Sequence, residues 1–293
     1  LTLSHNKNSV KALTGEAVQL YEAKFGFNQN THRIAVGEPL GQFYGYITEG
    51  LYQVDDFNYD ASTQTYTLKD GIPYHGDKGQ IRPGMWKFKN LTGDDNVIDE
   101  NDKTVIGNAQ PKFYGGLNNS FTYKGFDLSI FLTFSYGNEV LNATKLVTSK
   151  VGSLNYNALD VMNSSNRWMT INSDGQKVTD PGELAALNAG KTVAAYHDAQ
   201  QGDNYIHSWA VEDASYLKLS NVTLGYTFPK NLIARVGLKN LRLYATGNNL
   251  LTWTKYSGFD PEVSTMKSGL TPGVDFGAYP LSRSFIFGLN VAF

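Results

Sequence analysis

Apolar and polar residues alternate with a period of two along the last nine positions of the chain. Phe285, Phe287, Leu289, Val291 and Phe293 fall on one face of a strand; Ile286, Gly288, Asn290 and Ala292 fall on the other. The same period runs through residues 113–136. One face there carries Leu117, Phe121 and Tyr123, then Phe126, Leu128, Ile130, Leu132, Phe134 and Tyr136. The opposite face carries Tyr114, Asn118, Ser120 and Thr122, then Asp127, Ser129, Thr133 and Ser135, with Phe131 as an exception. Lys124-Gly125 between the arms predicts a two-residue hairpin turn, because Gly supplies the positive φ that a primed turn needs. Residues 216–228 and 240–252 make a further pair. Val222, Leu224, Tyr226 and Phe228 oppose Asn221, Thr223, Gly225 and Thr227, while Leu241, Leu243 and Ala245 alternate with Arg242, Tyr244 and Thr246. Pro229 ends the first of these strands because it cannot donate to the ladder.

Strands with one greasy and one polar face predict an all-β chain: about six strands of a large antiparallel transmembrane β-barrel with long extracellular loops. A spanning strand needs about 9–11 residues at its usual tilt, and these segments reach that length. The connections supply a second argument. With Phe293 at the periplasmic end, residues 253–280 must be extracellular, 229–239 periplasmic, 138–213 extracellular, Lys124-Gly125 periplasmic and 10–110 extracellular. Short and long connections alternate accordingly, which is the barrel rule. A soluble β-sandwich, the competing fold, gives no reason for it. Within the 10–110 loop subdomain, residues 41–52 read as extended structure; in the next long loop, residues 154–168 read as a helix. Leu1 to Asn6 resemble the tail of a strand, so residues 1–293 are expected to be the carboxyl-terminal portion of a longer protein.

Composition narrows the picture. No run of eighteen apolar residues exists in the 293-residue chain, so no transmembrane helix is expected. Barrels escape that test because their two faces dilute hydropathy. The absence of cysteine removes disulfides and thiolate metal sites. A net charge of −2 offers nothing to a polyanion, which argues against nucleic acid as a partner.

Candidate chemistry is sparse. Asp94, Asp95, Asn96, Asp99 and Asp102, within residues 90–102, space oxygen ligands around a turn in a way that suits Ca²⁺. Asn96 stands where a turn glycine is expected, and counting back from Asp102 and Asp99 puts the first ligand positions on Leu91 and Gly93. The competing reading is an Asx-rich surface turn. The histidines show no ligand spacing, and His197-Asp198 has no nucleophile to serve. With neither a G-x-S-x-G elbow nor a P-loop, an enzyme is not expected. Loop aromatics including Tyr44, Tyr46, Tyr52, Tyr74, Trp86, Trp168, Trp209 and Trp253 can stack on sugars or pack a peptide; packing their own loop is the simpler reading.

Several stretches occur in a telling order: Phe43-Tyr44-Gly45-Tyr46, residues 93–107, Pro111-Lys112-Phe113-Tyr114-Gly115-Gly116-Leu117, residues 216–226, Asn248-Asn249-Leu250, Gly258-Phe259-Asp260-Pro261-Glu262 and the terminal strand. Together they resemble the carboxyl-terminal third of a SusC/RagA-type TonB-linked outer-membrane protein of the Bacteroidetes. The resemblance implies a bacterial outer-membrane barrel of about 22 strands. It further implies an amino-terminal plug and TonB-contacting segments outside this chain, and a SusD-like surface lipoprotein acting as a lid. Such pairs import oligosaccharides or peptides by capture under the lid and plug movement. The family often carries an EF-hand-like acidic loop near residues 90–102. The terminal residues Phe285, Phe287, Leu289, Val291 and Phe293 resemble the signal read by the barrel-assembly machinery. A structural barrel component or adhesin is the alternative function, and a soluble glycan-binding sandwich a third.

Overall fold

The computed structural model describes residues 1–15, 17–22, 30–93, 95–149, 157–195, 205–266 and 268–293. Six strands form one antiparallel sheet whose spatial order is the chain order: β1 (Thr2–Ser4), β2 (Phe113–Tyr123), β3 (Phe126–Tyr136), β4 (Tyr216–Thr227), β5 (Asn240–Thr254) and β6 (Ser284–Ala292). Lys124 and Gly125 both take positive φ, 44° and 89°, and Tyr123 lies opposite Phe126. That is the tight turn expected from the sequence.

Register carries the apolar face unbroken across the sheet. Phe121 opposes Leu128, Leu128 opposes Leu224, Leu224 opposes Ala245 and Ala245 opposes Phe287. A shift occurs in β4. Phe131 opposes Asn221 while Leu132 opposes Leu219, so Ser220 is an extra residue. Because side chains alternate, one inserted residue changes which parity faces which way. Leu217 and Leu219 thereby join Val222 and Leu224 on one side. On β5 the span 248–251 accommodates the bulge, and Asn249 takes φ 52° there. The Asn248-Asn249-Leu250 stretch is therefore a register device.

Phe131, the exception on the polar face, has a physical reason. A Cβ on Gly116 would lie 3.0 Å from its ring, so the glycine leaves room for the aromatic against the wall.

Every buried apolar residue lies outside the six strands. One cluster joins Tyr46, Leu51, Trp86, Phe88, Trp168 and Leu184; another joins Phe43, Leu141, Leu146, Ile206 and Val274; a third joins Tyr52, Phe57, Leu68, Ile81 and Met85. The loops thus build their own core above the sheet. Within them, Gln42–Gly45 and Thr48–Leu51 are strands, as residues 41–52 suggested. The helix expected at 154–168 is not formed where it is described: residues 157–168 contain only the 3-10 turn Asp160–Met162, and 154–156 lie outside the described residues. The Asn163 side chain accepts from the Ser165 and Asn166 backbone N–H groups, an Asx turn that competes with helix. His197-Asp198 also lies outside the described residues.

Candidate functional site: the polar wall and its mouth

The polar face of the sheet is knitted side chain to side chain. Thr133 meets Ser220 at 2.7 Å, Thr223 meets Thr246 at 2.8 Å, and Asn221 donates to Asn248 at 2.7 Å. Asn248 in turn donates to Ser284 at 3.0 Å. Near the tight-turn end, Arg242 of β5 reaches across β4 to Asp127 of β3, with Nε 2.9 Å from the carboxylate. Gly225 makes that reach possible, since a Cβ there would lie 2.4 Å from the guanidinium. Both charges were legible as polar-face residues. Their pairing was not, because it spans three strands, and the glycine between them is the signal that marks it.

At the opposite end a loop folds back onto this wall. Glu262, from the Gly258–Glu262 stretch, accepts a 2.6 Å hydrogen bond from the Tyr216 hydroxyl and pairs with the Lys218 ammonium. Lys218 is buried. Two of the stretches noticed in sequence are therefore halves of one contact. Tyr114, Thr133 and Tyr216 of the wall, with Pro261, Val263 and Pro272 of the loop, line a cavity of about 520 Å³.

The loop is also held from above. His32 Nε2 lies 2.9 Å from the Pro272 carbonyl oxygen, and burial pushes the imidazole down to about 4 against the opposing pull of that hydrogen bond. Leu141 N donates to Gly273 O at 2.9 Å, and the Tyr256 hydroxyl donates to Asp275 at 2.6 Å. Burial first, then the Asp275 carboxylate, hold the Tyr256 phenol far above its ordinary range. Beside it, Lys145 pairs with Glu212 at 3.1 Å while lying 4.1 Å over the Trp209 ring. Three connections thus converge on one roof.

The acidic loop is placed elsewhere and is built differently. Asp94 lies outside the described residues. Asp102 is fully buried, and its oxygens accept from the backbone N–H groups of Leu91, Thr92 and Asp99 and from the Thr92 hydroxyl. Burial opposes its ionisation, but those donors outweigh it and keep the carboxyl below the usual range. Asp99 caps the turn Glu100–Asp102 through Asn101 N at 2.7 Å, and Asp95 accepts from Val97 N at 3.3 Å. Asn96 is exposed. Among the described residues no three acidic or histidine side chains converge as a metal group. The donors around Asp102 already engage both of its carboxylate oxygens, the work a cation would otherwise do there.

The terminal strand puts Phe285, Phe287, Leu289 and Val291 on the apolar face, opposite Gly247, Ala245, Leu243 and Leu241, and Phe293 follows them, exposed. Tyr46, Tyr52, Trp86 and Trp168 are buried within the loops, with Trp86 5.0 Å from Trp209. Trp253 instead ends β5 on the apolar face. Among the described loop aromatics, Phe259, Phe276 and Tyr279 are exposed.

No family model matches the chain. Among curated proteins it is 33% identical over 297 residues to TonB-dependent receptor P3 of Formosa agariphila, and 30% identical over 312 residues to TonB-dependent receptor P39 of that organism. Each alignment covers 99% of this chain. TonB-dependent receptor SusC of Bacteroides thetaiotaomicron is 29% identical over 226 residues, 75% of this chain. The chain is part of a SusC/RagA-like TonB-dependent receptor. It spans 26% of the length of P3 and 28% of that of P39, about a quarter of each. The RagAB peptide transporter superposes with TM-score 0.62 over 97% of this chain and 25% of that one, at 21% identity. The RagAB peptide importer in its 'closed-closed' state gives 0.64 over 99% and 26%, at 20% identity. At that identity the likeness speaks for the fold, and the fold is a receptor barrel wall. Such receptors reside in the bacterial outer membrane. The apolar face is thus the lipid face and the polar face the lumenal one.

Proposed function

We propose that this segment forms lumenal wall and extracellular loops of an importer that takes up oligosaccharides or peptides together with a SusD-like surface lipoprotein. The observation that carries the reading is the roof on Glu262. A long loop is pinned inward by Tyr216 and Lys218, over a polar wall and below a loop subdomain with its own core. That arrangement narrows a wide barrel to a selective mouth. The names of the relatives, including SusC and the RagAB peptide importer, agree with import as the purpose. The segment contributes binding and gating, with no covalent chemistry. Energy coupling would come through a plug and TonB-contacting segments of the longer protein, and residues 1–293 would be its carboxyl-terminal portion, inserted by the barrel-assembly machinery.

The test is uptake by cells carrying the full-length gene. Deleting the gene together with its lipoprotein neighbour should abolish growth on one class of oligosaccharide or peptide. Glu262→Ala in the full-length protein should alter which sizes enter while the barrel still assembles. Normal growth of the deletion strain on every large saccharide and peptide tried would leave a structural barrel component as the better reading.

A further inference from the structure

Two adjoining hollows lie at the rim from which the long connections rise. The first, of about 530 Å³, is walled by Phe113, Phe134, Tyr136 and Trp253 of the lipid face. Phe113 and Tyr136 stack with centroids 4.8 Å apart, and Trp253 is 52% exposed. The second, of about 630 Å³, shares Tyr136, Asp213 and Ser215 with the first. Polar side chains are part of its lining: Asn6, Lys7, Asn108, Gln110, Lys112 and Glu139.

This second hollow has a particular balance. Glu139 already accepts from Asn108 N at 2.7 Å, and Asp213 accepts from Ser215 N at 2.9 Å. The ammonium groups of Lys7 and Lys112 have no ion-pair partner among the described residues. Lys112 is laid against Gly137, where a Cβ would come within 2.7 Å of its stem, so its root is fixed at the boundary of the two hollows. Two lysines facing two carboxylates leave the hollow close to neutral. That disfavours a bare phosphate head and favours a headgroup rich in hydroxyls, which both donate and accept.

Aromatic side chains at a membrane rim mark headgroup height, and lysines beside them sit in the headgroup layer. One molecule satisfies both hollows only if it is amphiphilic, with a sugar at one end. We propose that this rim is a binding site for a single outer-leaflet glycolipid. Its acyl chain lies along Phe113, Phe134 and Trp253, and its saccharide headgroup fills the hollow between Lys7 and Lys112. The inference rests on the orientation given under the proposed function, which puts this rim at the outer leaflet.

The test uses the full-length receptor, purified and delipidated in detergent, with bound lipid counted by native mass spectrometry. Three probes are titrated: rough-type lipooligosaccharide, its deacylated saccharide, and phosphatidylglycerol. One saturable lipooligosaccharide is expected, held about tenfold or more tighter than phosphatidylglycerol. Phe113→Ser with Trp253→Ser, and separately Lys7→Ala with Lys112→Ala, should each loosen it about fivefold or more. The deacylated saccharide should compete weakly with the intact lipid on the unaltered protein, which keeps the test decisive if a variant fails to fold. Equal retention of phosphatidylglycerol, variants that bind as before, or no competition by the saccharide would each overturn the site. Binding is read on purified protein, so this result is separate from whether any solute is imported.

Discussion

The sheet and the loops above it bury opposite kinds of residue. On the six strands the buried side chains are polar, Ser135 and Lys218, while Phe285, Phe287, Leu289 and Trp253 stand exposed. In the loops the order is the familiar one, with Phe43, Phe88, Leu141, Trp168 and Ile206 buried. Both regions contain alternating strands, so alternation alone does not say which face is covered. The solvent does. Where hydrocarbon surrounds the wall, an apolar side chain loses nothing by staying outside, and the polar residues find partners inward. Where water surrounds the loops, the hydrophobic effect folds the apolar face inward.

If the two regions really answer to different solvents, they should respond separately to mutation. The largest effect is expected at Trp168, buried above Gly84, whose Cβ would lie 2.4 Å from the indole. Trp168→Ala should cost the loop subdomain about 3–5 kcal/mol. Limited proteolysis should then cut the loops while the heat-modifiable barrel band on gels persists; loss of both together would show one cooperative unit.

A pair of arginine substitutions sharpens the comparison within one strand. Leu224→Arg, on the lipid face, should destabilise the barrel by about 2–4 kcal/mol, whereas its neighbour Thr223→Arg should be far milder. Refolding titrations into bilayers measure the difference, and equal costs would contradict the assigned faces.

The buried Asp102 tests the loop side again. Asp102→Asn leaves backbone donors short of an acceptor and should cost about 1–3 kcal/mol. The loss in loop melting temperature should be the same in Ca²⁺ and in chelator, since protein donors fill the carboxylate. A large Ca²⁺-dependent stabilisation of the unaltered protein would instead assign a cation to this turn.

The smallest effect is a pH slope. The folded protein holds His32 neutral down to about 4, whereas an unfolded chain protonates it near 6.5. Its packing is therefore fully stabilising above 6.5 and weakens progressively as pH falls from 6.5 to about 4. Hydrogen exchange of the Gln42–Gly45 strand beside it should quicken across that window, and His32→Asn should remove the slope.

Legibility followed the range of the interaction. The Lys124-Gly125 turn and the faces of residues 113–136 were readable because they depend on neighbours and a period of two. The Ser220 bulge was not, since an inserted residue shows itself only against two partner strands. The helix expected at 154–168 gave way, in its described part, to the Asx turn on Asn163, whose side chain competes locally for the backbone N–H groups. The Asp127–Arg242 and Lys218–Glu262 pairs join residues separated by 115 and 44 positions, which no local pattern reports.

By itself the sequence determined that these ribbons have two unlike faces and where they turn, because sterics and alternation act along the backbone. Only the tertiary structure decided which loop enters the mouth, which charges meet across three strands, and that the acidic turn is closed by N–H donors. Those outcomes depend on distances between remote segments, set by register and by glycines that let side chains pass.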